Sequence, residues 1–371
     1  MKDTDSRRSI SLALQGGGAW GAFTWGVLDH LLSRRSITID QISGTSAGAI
    51  NGAIVCSELS RGSARSAREA LESFWRSVSA PSSGALMQLM LGPVGTMLSR
   101  RLGEWMWASG ALSPYQANPL DVNPLRDAIG KHVDIDALRS ASGPQLYVTA
   151  TSVRTGLPRI FGSADMSVDA LMASACLPHL FRAVEIDGEA YWDGGYCGNP
   201  TIWPLVRHGA ARDIVLVQLA PDERPQLPRG SAEIRHRVGE IVFASSLVAE
   251  MQAIHAMREL IRRDGNGSRF GDLRLHRIGP PKESALAASD AALERSWSWL
   301  TQLRDEGRRA ARAFLHRCGT RIGVESTLNI AQVFIAGRKP KLRLRPTVEP
   351  DRQPAQSQAA PRGAGTAADA A

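Results

Sequence analysis

The sequence predicts an α/β fold of three layers (α/β/α), in which helices cover both faces of a mostly parallel central sheet. Strand-like segments at Ser9–Gln15 and Ile37–Ile42 each lead into a glycine-containing turn and then into a helical pattern. A strongly apolar segment, Ile214–Leu219, has the composition of a buried strand. Repetition of strand, turn and helix is typical of a parallel sheet, because each crossover helix returns the chain to the same end of the sheet.

The first strand and helix are defined by their periodicity. Ile10, Leu12 and Leu14 alternate along the strand before the chain reaches Gly16-Gly-Gly18. Alternation indicates a strand, and the glycines indicate a turn. Residues 19–32 then predict a helix with Phe23, Val27, Leu28 and Leu31 on its apolar face. After the second strand, further helices are predicted at residues 47–59 and 64–78.

The remaining elements are shorter until two long helices near the end. The patterns predict strands at 145–153 and 159–161, a short helix at 168–175 and two short strands within 183–192 around the turn Asp187-Gly188. The first long helix, Val238–Ile261, is expected to direct Ile241, Val242, Val248, Met251 and Ile254 towards the core. The second, Ser289–Leu315, carries Leu293, Trp297, Leu300 and Phe314.

These patterns divide the chain into four parts. Residues 1–8 are predicted to be a flexible N-terminus and residues 9–221 the main α/β core. Within the core, residues 81–120 are rich in Met, Trp and Leu. This composition is typical of an insertion that covers a functional site, of a surface that contacts lipid, or of two helices packed on the core. Residues 222–336 are predicted to be a helical extension, and residues 337–371 a basic and then disordered tail.

Composition limits the class of protein. The chain has 371 residues, 43% of them hydrophobic, and a formal charge of +8. Its four cysteines are scattered without metal-ligand spacing and are expected to be buried or free thiols in a reducing compartment. Neither a metal nor a cofactor is expected. The polar N-terminal segment is not expected to be an export signal, and no apolar run approaches the roughly 18 residues of a membrane span. A cytoplasmic protein is expected. The positive charge fits attraction to an anionic partner, either lipid headgroups or nucleic acid, and a solvated basic tail is the simpler explanation of it.

A serine turn follows the second strand. In Gly44-Thr-Ser-Ala-Gly48, Ser46 has a glycine two residues away on each side, and a helix of small residues follows. This composition favours a sharp strand-to-helix turn that exposes the serine hydroxyl as a nucleophile. An ordinary turn of small residues would look the same, so the serine needs a base and an oxyanion site to be catalytic.

A glycine loop upstream offers the oxyanion site. Backbone N–H groups of the segment Gly16-Gly-Gly18 are expected to converge there, between a strand and a helix. The same loop, Gly16-Gly-Gly-Ala-Trp-Gly21, also fits the dinucleotide-binding pattern, with Asp40 near the position of a ribose-binding acid. That alternative, an NAD(P)-dependent oxidoreductase, leaves Ser46 unexplained.

Three residues are candidates for the base. His179 and His208 lie nearest the other suggestive residues, but neither is part of a motif. Asp193 follows an aromatic strand and precedes Gly194 and Gly195, which permit a tight turn. A hairpin turn is an alternative explanation of Asp-Gly.

Together these segments resemble the patatin-like phospholipases. Gly16-Gly-Gly-Ala-Trp-Gly21, Gly44-Thr-Ser-Ala-Gly48 and Asp193-Gly-Gly195 occur in the order and approximate spacing of that family's motifs. Ala173-Ser-Ala-Cys-Leu-Pro-His-Leu-Phe181 resembles the segment before the family's aspartate motif. The resemblance covers Ser9–Pro221. One departure is Trp20, where the family often has Arg or Lys.

The resemblance implies a Ser46–Asp193 dyad that cleaves carboxylic esters of lipids through an acyl-enzyme. It implies oxyanion donors in the loop 16–19, with Gly21, Gly44, Gly48, Gly194 and Gly195 in support. The expected partners are a lipid ester substrate and, transiently, an anionic membrane or lipid-granule surface, with no nucleic acid. A non-catalytic protein of the same fold that binds lipid or granule surfaces is the alternative.

Overall fold

The computed structural model describes residues 7–79, 113–118, 121–140, 142–209, 211–221, 223–224, 227–264, 272–281, 284 and 295–335. The predicted tail 337–371, most of the predicted insertion 81–120 and residues 1–6 lie outside this set.

Within the described residues, the central sheet has eight strands in the spatial order β5-β6-β3-β2-β1-β7-β8, with β4 paired to β3. The strands are β1 (Arg8–Leu14), β2 (Ile37–Gly44), β3 (Gln145–Ser152), β4 (Pro158–Gly162), β5 (Val184–Ile186), β6 (Glu189–Asp193), β7 (Asp213–Val217) and β8 (Arg274–Ile278). The pairs formed among β3, β2, β1, β7 and β8 are parallel, whereas β4, β5 and β6 pair antiparallel. The predicted mostly parallel central sheet is confirmed.

Helices cover both faces of this sheet. Those in the described residues are α1 (Gly21–Leu32), α2 (Ala47–Ser60), α3 (Ala64–Ser79), α4 (Pro114–Ala117), α5 (Pro124–His132), α6 (Ile135–Arg139), α7 (Val168–Ser174), α8 (Trp203–His208), α9 (Ser231–Asp264) and α10 (Trp297–Cys318). Along β7, Val215 and Val217 pack with α1, α2, α3 and α10, while Ile214 and Leu216 pack with α8 and α9. The alternating side chains of one strand therefore belong to two cores, which gives the three layers.

Two features of residues 222–336 differ from the sequence prediction. The predicted helical extension also contains a strand, β8, which adds to the sheet parallel to β7. In α9, Val248, Met251 and Ile254 are buried as expected, but Ile241 and Val242 are exposed. The prediction was wrong for those two because a helical period identifies an apolar stripe without saying whether anything covers it.

The helices α1 and α10 pack closely against each other. A Cβ at Gly26 of α1 would overlap the carbonyl oxygen of Arg304, and a Cβ at Gly307 of α10 would overlap that of Phe23. Asp29 is held between α3 and α10, since it accepts from Arg68 at 2.9 Å and from Arg308 at 2.7 Å. The first and last long helices of the described core are thus joined.

The described end of the predicted insertion contacts the segment before β5. Tyr115 lies in α4, its carbonyl oxygen accepts from Arg182 at 3.2 Å, and its ring lies 5.3 Å from the Arg182 guanidinium carbon. In the described part of the chain, no helix is both long and apolar enough to cross a bilayer.

Candidate active site

The register of β3 brings Ser46 and Asp193 to the same place. β2 pairs with β3 as far as Gly44 opposite Val148, and Ser46 follows in the next turn. β6 runs antiparallel to β3 and ends with Asp193 opposite Ala150. Both side chains therefore lie beyond the end of β2, beside the last residues of β3, although they are remote in sequence.

Ser46 occupies a strained turn between β2 and α2. Its φ is 54° and its ψ is −123°, a region that residues other than glycine rarely adopt. It is the N-cap of α2 and is 8% exposed. Its N–H donates to Ser174 Oγ at 2.9 Å, and its carbonyl oxygen accepts from Ile50 N at 3.1 Å. This is the geometry of a nucleophile elbow, which places the hydroxyl at the positive end of a helix.

Several predicted motif glycines lie where a side chain does not fit. A Cβ at Gly48 would overlap the carbonyl oxygen of Leu14, and a Cβ at Gly194 would overlap that of Thr149. Similar crowding occurs at Gly21, Gly44 and Gly195, against Ala47, Ala49 and Phe243 respectively. The serine turn therefore packs closely on β1 and the aspartate turn on β3. This packing fixes the backbone positions from which the Ser46 and Asp193 side chains extend.

Asp193 is fully buried, and burial raises its pKa to about 7. Its Oδ1 accepts the N–H of Gly195 at 2.7 Å, which lowers the pKa in part. The Ser46 hydroxyl also lowers the pKa as a hydrogen-bond donor, although no hydrogen bond of standard geometry reaches Oδ2 from the described residues. Oδ1 of the carboxylate is therefore held by the backbone, whereas Oδ2 is available to accept the proton of the Ser46 hydroxyl.

The glycine loop presents backbone N–H groups beside this pair. Its short 3-10 turn begins with a hydrogen bond from Trp20 N to Gly17 O at 3.1 Å. The N–H groups of Gly17, Gly18 and Ala19 donate no hydrogen bond to any of the described residues. The N–H of Gly16 instead donates to Asn199 Oδ1 at 2.7 Å, so Gly16 holds the loop rather than acting as the donor expected from sequence.

Three positioning residues were missed by sequence reasoning: Gln15, Ser174 and Asn199. Asn199 is 1% exposed and bonds Gly16, while Gln15 Oε1 accepts from Leu219 N at 2.6 Å and from Ala220 N at 2.9 Å. Only Ser174 carried a signal, since it lies in the segment 173–181 that resembles the family. The others are single polar residues whose partners are distant in sequence.

The histidine and dinucleotide alternatives find no support. His179 is exposed, and His208 stacks on Tyr147 with ring centroids 6.0 Å apart. Asp40 lies inside β2, and its carboxylate accepts from Ala211 N at 3.0 Å, so it is away from the strand ends where a ribose would bind. Among the described residues, no group of three His, Cys, Asp or Glu side chains is placed to hold a metal ion.

Comparison with known proteins identifies the family of this chain. A model of the patatin-like phospholipase family matches residues 12–206, which is more than half of the chain. The chain belongs to the patatin-like phospholipase family. The matched segment of this patatin-like chain includes the glycine loop, the Ser46 turn and Asp193. The resemblance predicted from the motifs is confirmed, and members of this family are in general lipid ester hydrolases.

Two individual proteins are similar to this patatin-like chain. The uncharacterized protein YjjU of Escherichia coli (strain K12) is 24% identical over 279 residues, which cover 74% of this chain and 69% of YjjU. The crystal structure of VipD from Legionella pneumophila shares 14% identity and a TM-score of 0.35, over 86% of this chain and 77% of VipD.

Proposed function

We propose that this patatin-like chain is a lipid acyl hydrolase of the phospholipase A or esterase type, with Ser46 as nucleophile and Asp193 as its base. The observation that carries the proposal is the pairing of a strained serine with a buried carboxylate of raised pKa beside a loop of unused N–H groups. A nucleophile, a base and an oxyanion site are the three parts that acyl transfer requires.

In the first half of the reaction, Ser46 Oγ attacks the ester carbonyl carbon and its proton moves to Asp193. The carbonyl oxygen becomes an oxyanion that the N–H groups of Gly17, Gly18 and Ala19 stabilise. The tetrahedral intermediate then collapses: the bond to the leaving oxygen breaks, Asp193 returns the proton to that oxygen, and the alcohol leaves. The acyl group remains as an ester of Ser46.

In the second half, a water molecule repeats the attack. Asp193, again a carboxylate, takes a proton from water as its oxygen bonds to the acyl carbon. The second tetrahedral intermediate expels Ser46 Oγ, which recovers the proton from Asp193. The products are a fatty acid and free enzyme.

The environment of Asp193 supports the use of a carboxylate as base. A carboxyl group with its ordinary pKa binds a proton too weakly to assist catalysis well at neutral pH. Burial raises the pKa of Asp193 to about 7, so its basicity matches neutral conditions. The hydrogen bond from Gly195 N fixes Oδ1 and orients the other oxygen.

The decisive experiment measures hydrolysis of p-nitrophenyl esters of increasing acyl length by wild type, Ser46→Ala and Asp193→Asn. Matched controls are Ser57→Ala, a buried serine elsewhere on α2, and Asp187→Asn, an exposed aspartate in another Asp-Gly turn. Both active-site substitutions are expected to lower kcat by at least about 10³-fold, as removal of a nucleophile or base does, and both controls to retain activity.

Covalent labelling separates the nucleophile from the base. A fluorophosphonate is expected to label Ser46 in wild type and to leave Ser46→Ala unlabelled. Wild type that neither hydrolyses the esters nor reacts with the fluorophosphonate would contradict the proposal. An active Asp193→Asn enzyme would reject the dyad while leaving Ser46 as nucleophile.

A further inference from the structure

The N-terminal half of α9 has two faces with different surroundings. α9 has 34 residues, a length of about 50 Å at 1.5 Å per residue. Its C-terminal half is anchored by Leu247, Val248, Met251 and Ile254 in the hydrophobic core that α8 and α9 form with one face of the sheet. Its N-terminal half carries an outward stripe of four aliphatic side chains: Ile234 is 45% exposed, Val238 54%, Ile241 53% and Val242 37%. We call these four residues the α9 stripe.

The inward face of the same half packs on the turn after Asp193 and on the glycine loop, which together we call the catalytic loops. The Phe243 ring packs against that of Tyr196 with centroids 4.9 Å apart, and it occupies the space that a Cβ of Gly195 would need. The His236 ring meets that of Trp20, next to the oxyanion loop, with centroids 5.7 Å apart. The α9 stripe is therefore on the outer surface of the element that covers Asp193 and the glycine loop.

The inward and outward faces of this half of α9 carry different charges. Glu240, on the inward face, is neutralised by ion pairs with Arg224 and Arg237. Arg229 and Arg235 are exposed beside the stripe, and the nearby Glu233 carboxylate is engaged by the backbone N–H groups of Arg229 and Gly230. An aliphatic stripe flanked by exposed guanidinium groups is complementary to a surface that is apolar beneath and anionic at its rim.

We infer that the α9 stripe docks on the surface of an anionic lipid bilayer, with α9 parallel to the membrane plane and the catalytic loops directly behind it. Aliphatic side chains that cost free energy in water enter the acyl region, while Arg229 and Arg235 meet phosphate groups. The inference rests on the proposed function for the choice of lipid as the partner. It adds the element that contacts the surface and the orientation of the protein on it.

Binding is tested first without catalysis. In a Ser46→Ala background, cosedimentation with phosphatidylcholine/phosphatidylglycerol vesicles is compared for the parent, Val238→Asp/Ile241→Asp and Val324→Asp. Val324, 73% exposed after α10, is the matched control because it is an exposed aliphatic residue outside α9. The double variant is expected to bind at least tenfold more weakly and the control unchanged. Equal binding by the double variant and its parent would overturn the inference.

The charge contribution and the alternative occupant are tested separately. Arg235→Glu is expected to weaken binding to vesicles that contain phosphatidylglycerol more than binding to phosphatidylcholine alone. Sedimentation equilibrium of parent and double variant tests whether a second copy of the chain covers the stripe. A dimer that the double variant dissociates, with vesicle binding unchanged, would overturn the lipid assignment.

Activity then separates this inference from the proposed function. With Ser46 intact, the double variant is expected to hydrolyse soluble p-nitrophenyl butyrate at the wild-type rate, which also shows that it is folded. Its hydrolysis of a long-chain ester embedded in vesicles is expected to fall at least tenfold. If wild type hydrolyses neither ester but the vesicle-binding difference persists, the docking surface stands and the proposed function fails.

Discussion

Ser174 Oγ accepts the backbone N–H of Ser46 at 2.9 Å, and Ser174 is fully buried. The hydrogen bond joins the end of α7 to the turn whose φ of 54° places the candidate nucleophile. A strained residue persists only where its surroundings hold it. Ser174 is one of the groups that hold Ser46, through its backbone.

The first prediction follows from that contact. Ser174→Ala leaves the N–H of Ser46 buried without a partner, which costs about 1–3 kcal/mol of unfolding free energy, and it is expected to lower kcat as the turn relaxes. Ser167→Ala is the matched control: Ser167 Oγ accepts Ala170 N at 3.0 Å at the other end of α7. Denaturation and kcat are measured for both. Loss of stability in both variants, with kcat lowered in both alike, would contradict the positioning role.

The second prediction concerns the pH dependence of activity. Asp193 must be ionised to accept a proton, and burial raises its pKa to about 7. The value of kcat/KM is therefore expected to rise with pH through a midpoint near 7, because this parameter reports the free enzyme. A soluble short-chain ester at constant ionic strength provides the measurement. A midpoint near the ordinary carboxyl value of about 4 would show that the active base is not a desolvated carboxyl.

The third prediction is that Asp193→Asn stabilises the protein at alkaline pH. The pKa of Asp193 is higher in the folded than in the unfolded state, so folded protein binds more protons between about pH 4 and pH 7 and loses stability as pH rises through this window. Above pH 7 the penalty for the buried charge is complete, and a neutral amide avoids it. Asp193→Asn is expected to gain about 4 kcal/mol at pH 8 and little at pH 4. Chemical denaturation at both pH values measures this; an equal effect at the two would disprove it.

The fourth prediction assigns Asn199 to the oxyanion loop. Asn199→Leu removes the acceptor for Gly16 N and is expected to lower kcat by roughly 10²-fold, comparable to loss of one oxyanion donor. The KM of a soluble ester should change little, because ground-state binding does not use that loop. The rate of fluorophosphonate labelling is expected to fall in parallel, since the phosphoryl oxygen occupies the same position. A change in KM alone would place Asn199 in substrate binding instead.

The sequence was sufficient for features whose signals are local. Alternation around Ile10, Leu12 and Leu14 located β1, and the small residues on each side of Ser46 located the serine turn. The aspartate was recognisable because Asp193 is followed by two glycines. Close approach of two backbones requires glycine, and glycine is visible in a sequence.

Other features depend on contacts between distant residues. β8 was missed because His276, in its middle, looks like a solvent-facing residue. In the structure His276 is fully buried: its Nε2 lies 3.0 Å from Asp213 Oδ1 and its Nδ1 lies 2.9 Å from Thr327 Oγ1. The partners of Asn199 and Gln15 are equally remote. Ile241 and Val242 were assigned to the core because the same helical period describes covered and uncovered stripes.

The close contact between α1 and α10 also has a consequence for biosynthesis. While the ribosome is still adding residues after 206, the nascent chain already contains Ser46 and Asp193 but lacks β7, β8 and α10. The edge of β1 that β7 will pair with and the groove of α1 around Gly26 that α10 will fill are then uncovered. Such edges and apolar grooves bind chaperones and aggregate. The β1–β7 pairing and the α1–α10 contact therefore form only after the residues up to 318 have been synthesised.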